Sequence, residues 1–274
     1  MQALTRISIA AAFVVASTCG HAAEWSDAFI GLAYGSKYKE PGSAEDVKKV
    51  VGTLQYVGGY KYGVNFFTLD MLKSGDTNQA SNSTRGAQEV YVAYNNTLSF
   101  GKLMGSPAKL GPVRDLGFQA GFDFNSKNDA FGAGLVKLIF GPKLEFDVPG
   151  LLTLGLFYYK ENNNNSLSGA NVSFDAAPRL ATVWSFDFGS SVPLQFKGWG
   201  TWTGQKGKDG FGGDTAAETW VEASLLADVG SFAGKPKTVY AGLGYQYIHN
   251  KFGNQPSLAG TKVSSPSLQV QVHF

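Results

Sequence analysis

The stretch S-L-Q-V-Q-V-H-F (Ser267–Phe274) alternates without a break. Taken from Pro266, one face carries Pro266, Leu268, Val270, Val272 and Phe274, and the other carries Ser267, Gln269, Gln271 and His273. A period of two is that of a β-strand. The polar face holds Gln, Ser and His instead of a row of charges, which suits an enclosed aqueous space better than open solvent. A strand that ends on an aromatic residue is expected where a sheet closes on itself and its last strand must pair with its first. Phe274 then sits at a membrane interface, where aromatic belts form.

The same alternation recurs along the chain. Val239, Ala241, Leu243, Tyr245 and Tyr247 oppose Thr238, Tyr240, Gly242, Gly244 and Gln246. Leu116, Phe118, Ala120, Phe122 and Phe124 oppose Gly117, Gln119, Gly121, Asp123 and Asn125. About twelve such segments are predicted, near 27–37, 50–58, 62–72, 87–99, 115–125, 132–148, 151–161, 178–188, 193–203, 217–229, 237–248 and 264–274. An even number of alternating segments of about 10 residues is the signature of an outer-membrane barrel. The expected fold is therefore all-β, a transmembrane antiparallel up-and-down barrel.

The links alternate as well. Those at 38–49, 73–86, 162–177, 204–216 and 249–263 are long and polar, while 59–61, 149–150, 189–192 and 230–236 are mostly short. Long links then belong outside the cell and short ones in the periplasm. Two links break the rule: 100–114 is long where a short turn is expected, and 126–131 is short where a loop is expected.

Composition agrees. Glycine supplies 35 of 274 residues, nearly twice the usual share of about 7 %. Aromatics make up 14% and charged residues only 16%, with a formal charge of +2, which gives no electrostatic case for nucleic acid. At the start, one positive charge at Arg6 precedes an apolar run at Ile7–Ala16, and Gly20-His21-Ala22 fits a small-x-small cleavage site. Residues 1–22 read as a secretory signal peptide and 23–274 as the barrel. Cys19 lies inside the signal; Ala16-Ser17-Thr18 before it is a poor acylation box. With cleavage after Ala22 the exported chain has no cysteine and must stand without disulfides.

One motif points to a family. The stretch G-Y-K-Y-G-V-N-F-F-T-L-D-M (Gly59–Met71) resembles the hallmark of the nucleoside-specific channel-forming (Tsx-type) outer-membrane and outer-envelope family, in which a Gly precedes Asn-Phe-Phe and an Asp on the third strand. Pro142–Gly150 and Glu89–Tyr91 are similar to segments at matching places in that family. The resemblance implies a 12-stranded monomeric pore for nucleosides. The Lys- and Gly-rich loops depart from the family's better-studied members and leave the solute open.

Parity also gives a lumen. With Phe67, Leu69 and Met71 facing lipid, Phe66, Thr68 and Asp70 face inward. The same reasoning places Glu89, Tyr91, Phe157, Tyr159, Arg179, Trp199, Trp220, Glu222 and Tyr240 inside. Of these, Phe66, Asp70, Glu89, Tyr91, Tyr159, Trp199, Trp220, Glu222 and Tyr240 are the candidate solute contacts. Aromatic faces stack on flat bases, worth about 1–3 kcal/mol per base in nucleic-acid binders. Carboxylates accept hydrogen bonds from ribose hydroxyls. The plain alternatives are space-filling for each ring and an internal ion pair with Lys137, Lys143, Lys197 or Arg179 for each carboxylate.

Catalysis has little to build on. Only His249 and His273 follow the signal, and no G-x-S-x-G is present. Asp209 and Asp214 in Gly207–Asp214 hint at a calcium loop, but a single Gly-rich acidic copy reads more simply as a loop. The expectation is a non-enzymatic, passive channel in the bacterial outer membrane, a monomer without cofactor or metal. It takes nucleosides or similar small neutral solutes, and its protein and lipid partners are the barrel-assembly machinery and the membrane. The alternative is a closed structural barrel whose loops serve as receptor or adhesion sites.

Overall fold

A computed structural model describes residues 23–164, 166–167, 169 and 171–274. The signal segment 1–22 lies outside the described residues. Among the described residues thirteen strands form one antiparallel sheet: β1 Trp25–Tyr38, β2 Val47–Tyr60, β3 Gly63–Ser74, β4 Gln88–Ser99, β5 Val113–Lys127, β6 Gly134–Phe146, β7 Leu151–Asn164, β8 Asn171–Ser173, β9 Ala177–Phe188, β10 Leu194–Thr203, β11 Glu218–Asp228, β12 Val239–His249 and β13 Val263–His273. The three-residue β8 only extends the ladder beside the end of β7, pairing Asn162–Asn164 with Asn171–Ser173. The other twelve make the wall.

The wall closes. β13 pairs with β1 from Phe29↔His273 to Gly35↔Ser267, and with β12 on its other side. Closure leaves no free edge to satisfy. Leu268 and Ile30 are 64% and 60% exposed on the outside, while Gln271 is 8% exposed on the inside. An outer face this apolar is one that lipid covers, since water would not favour it. Rings pair across strands on that face: Phe140 stacks on Tyr158 at 4.8 Å, and Tyr94 meets Phe122 at 5.7 Å. Trp25, Phe188 and Phe274 mark the rim at the short-turn end.

The long link after β4 is not a loose loop. It opens with a one-turn helix, α1 Phe100–Met104, capped by the Ser99 hydroxyl, which accepts from the Lys102 amide. Gly105 ends it at φ 66°, a left-handed position that suits glycine. Asp115 accepts from the Gly101 amide at 3.0 Å and ties the turn to β5. The short link after β5 joins the neighbouring loop instead of standing alone: Ser81 N donates to Asn128 O, and the Gln88 amide donates to the Asn128 side chain.

The long loops at the other end are fastened to one another. Gly42 N donates to Ala259 O, Ala216 N to Gly253 O and Asp175 N to Lys206 O. Gly260 has φ +76°, and a side chain there would run into the carbonyls of Glu40 and Ser43. Under this cap Tyr38, Val47, Ile248 and Val263 form a small apolar core with Trp220 against it.

Candidate solute pathway in the barrel lumen

Inward residues differ in how tightly they are packed. On the β4–β9 side they form a filled network. The Tyr91 hydroxyl donates to Asp123 Oδ2 at 2.6 Å and accepts from Lys137 Nζ at 3.0 Å. Tyr159, 2% exposed, donates to Glu161, and the Arg179 guanidinium lies 4.0 Å from the Tyr159 ring centre. Arg179 Nε also donates to the Thr203 hydroxyl at 2.8 Å. Lys206, from the loop after β10, reaches Glu161 at 2.5 Å. Asp123, Tyr159, Glu161, Arg179, Thr203 and Lys206 are buried, Tyr91 and Lys137 half-buried, and these bonds knit them into a filling for that side of the lumen.

The opposite wall, β2–β3 and β10–β12, is looser. Thr53, Asp70, Trp199, Trp220, Glu222 and Gln246 are all half-buried. Trp199 and Trp220 sit on adjacent strands with ring centres 6.0 Å apart and planes 30° from parallel. Glu222 pairs in register with Trp199 and Gln246, and its carboxylate accepts from Trp220 Nε1 at 2.9 Å and Gln246 Nε2 at 2.7 Å. Across β2–β3 the Thr53 hydroxyl donates to Asp70 at 2.6 Å.

The remaining candidates lie elsewhere. Glu89 is at the loop end, 4.0 Å from Lys49 and bonded to Asn125. Tyr240 is at the turn end, its ring 4.9 Å from His273, which in turn meets Asp27 at 2.8 Å. Phe66 lies toward the turn end of β3, between Val57 and Asn95 in register. Thus Trp199, Trp220 and Glu222 form one surface, Tyr91 and Tyr159 belong to the packed network, and Phe66, Glu89 and Tyr240 stand apart.

Sequence reasoning missed the loop-end charge cluster. Glu40 meets Lys49 at 2.5 Å, Lys127 at 3.0 Å and Lys251 at 3.2 Å, all buried. Burial alone would raise the Glu40 carboxyl, but Lys251, Lys49 and Lys127 together hold it well below the usual carboxylate range. Burial pushes the Lys251 ammonium down to about 8, against the pull of Glu40. Glu40 and Lys251 lie in loops, where alternation carries no signal.

The candidate calcium loop is occupied by its own contacts. Asp209 accepts from the amides of Phe211 and Gly213, and Asp214 pairs with Lys208 at 2.7 Å. Among the described residues no group of three or more His, Cys, Asp or Glu is placed to hold a metal ion.

No family model matches the sequence, and no curated protein matches it. Among solved structures, the chain is similar to the translocator domain of the autotransporter NalP from Neisseria meningitidis, at 14% identity and TM-score 0.45, covering 91% of this chain and 87% of that one. It is also similar to the KdgM porin in complex with disordered oligogalacturonate, at 8% identity and TM-score 0.46, covering 90% and 99%. A bacterial polysaccharide outer membrane secretin is similar at 8% identity and TM-score 0.40, covering 91% and 98%.

Proposed function

We propose that this barrel is a passive channel of the bacterial outer membrane for nucleosides or similar small neutral solutes that contain a flat ring. The observation that carries the reading is the half-buried Trp199–Trp220 pair with Glu222 bonded beside it. Two rings offer stacking faces to a base, and carboxylates at Glu222 and Asp70 offer acceptors to sugar hydroxyls. The Gly59–Met71 resemblance to Tsx-type channels supports the same solute class. A phosphate pore would be lined by rings of Arg or Lys. Flux is driven by the concentration gradient alone, with binding weak enough for release. Chemistry on the solute is no part of this reading. The protein acts as a monomer, exported by cleavage after Ala22 and inserted by the barrel-assembly machinery, with the long loops outside the cell.

The interlocked loops and the Glu40 cluster favour a second reading, a closed barrel whose loops are the working surface. Liposome swelling separates the two. Proteoliposomes are expected to swell faster in adenosine or thymidine than in a sugar of similar mass. Swelling no faster than in protein-free liposomes contradicts the channel.

A further inference from the structure

Carboxylates inside the barrel fall into two groups. Glu40, Glu89, Asp123 and Glu161 each have a lysine within 4.0 Å. Asp70 and Glu222 have no cationic side chain that close among the described residues; their partners are Thr53, Trp220 and Gln246. By strand parity Asp70 on β3 and Glu222 on β11 both face the lumen. Beside Gln246 in register lies Ser265, wholly buried on the inward face of β13, with a hydroxyl that has no hydrogen-bond partner.

A carboxylate without a counter-charge in a partly dehydrated channel is costly. A cation beside either one offsets that cost. The tryptophan faces add to this, since a positive charge over an indole is attracted by about 0.5–2 kcal/mol, more as water is excluded. Ser265 supplies a further unused donor and acceptor. The two inward lysines without a carboxylate within reach, Lys143 and Lys197, sit closer to the turn end and donate to Gln119 and Gln271.

We infer that the surface formed by Trp199, Trp220 and Glu222, with Asp70 facing the same lumen, is a binding site for organic cations, namely a flat ring carrying an ammonium group. This deepens the channel reading and rests on the lumen being open. Neutral nucleosides share the stacking faces; a cationic ring solute also compensates these acids.

The test uses three solutes with one ring system and different charge: tryptamine, tryptophol and indole-3-acetate. Each is titrated onto the refolded protein in a planar bilayer, with adenosine as reference. Tryptamine is expected to block about tenfold more tightly than tryptophol, a gap of roughly 1.4 kcal/mol, with indole-3-acetate weakest. The Asp70→Asn, Glu222→Gln double variant is expected to bring tryptamine within about twofold of tryptophol. Asp70→Asn alone, which keeps an acceptor for Thr53, is expected to fall between. Heat-modifiable migration on a gel verifies that each variant folds. Tryptamine blocking no better than tryptophol, or a preference that survives the double variant, overturns the inference. Adenosine block without that preference leaves the channel reading standing and removes only this one. Absence of conductance from a folded barrel removes both.

Discussion

Trp199 and Trp220 stand on adjacent strands with ring centres 6.0 Å apart, and Trp220 donates its indole N–H to Glu222, the register partner of Trp199. A triangle of two rings and one carboxylate is thereby fixed on the open wall of the lumen. Trp199 is held by the strand register, whereas Trp220 is also packed under the loop cap beside Phe252, so removal of the Trp199 ring should not disturb the rest of the wall. Trp199→Ala is expected to weaken nucleoside block by about 1–3 kcal/mol, roughly 5- to 150-fold in the blocking constant. Titrated block of single channels measures it directly.

Phe66 is held to be a weaker contact. It is inward by parity but lies toward the turn end of β3, away from the tryptophans. Phe66→Ala is expected to lower nucleoside flux by less than Trp199→Ala does, with insertion unchanged. Flux in proteoliposomes ranks the two variants, and equal losses would move Phe66 into the main site.

Glu40 holds the loop cap together through three lysines. Glu40→Gln leaves Lys251 without its anion, while Lys127 keeps Asp129 at 2.6 Å and Lys49 keeps Glu89 at 4.0 Å, and is expected to destabilise the cap by about 3 kcal/mol. Loop protection from protease is the readout, since the barrel wall itself does not depend on Glu40.

The same cluster gives a pH dependence with a definite sign. The folded Glu40 carboxyl titrates below its ordinary value of 4.5, so the folded state binds fewer protons than the unfolded one in that window. The stabilisation is fully present above about 4.5 and is lost as the pH falls below it toward the folded value. Lys251 acts at the other end: its folded value of about 8 lies below the ordinary 10.5, so cap stability rises as pH rises from 8 to 10.5. Protease protection of the loops as a function of pH should fall in acid, and Glu40→Gln should remove the acid limb.

Phe274 is 73% exposed on the outer rim, while its backbone N–H donates to Ala28 O at 3.0 Å and so extends the β1–β13 seam. Deleting Phe274 is expected to slow insertion into bilayers or reduce yield in the outer membrane, while the barrel that does form conducts normally. Folding followed by heat-modifiable migration, with conductance on the folded fraction, separates the two effects.

Strand positions were legible in the sequence because lipid on one side and a lumen on the other impose a strict period of two. The segment expected at 115–125 is β5 Val113–Lys127, and that at 178–188 is β9 Ala177–Phe188. The long link after β4 looked anomalous because its short helix has no amphipathic stretch long enough to read. Alternation gives the face a side chain points to, and says nothing of what it meets across the barrel. Of the cations weighed as alternative partners for lumen acids, Lys137 reaches Asp123, while Lys49, Lys127, Lys206 and Lys251 from strand ends and loops pair with Glu40 and Glu161. Equally, nothing in the alternation separates Trp199 and Trp220 on the open wall from Tyr91 and Tyr159 in the packed one. That distinction depends on long side chains reaching across many strands.

Single-channel conductance of the refolded protein in a planar bilayer, with adenosine or thymidine titrated in and glucose as control, tests the central claim most directly. Small steady steps that nucleoside blocks and glucose does not are expected, with the block weakened in Trp199→Ala. Steps indifferent to nucleoside, or a correctly folded barrel that passes no current, would contradict it.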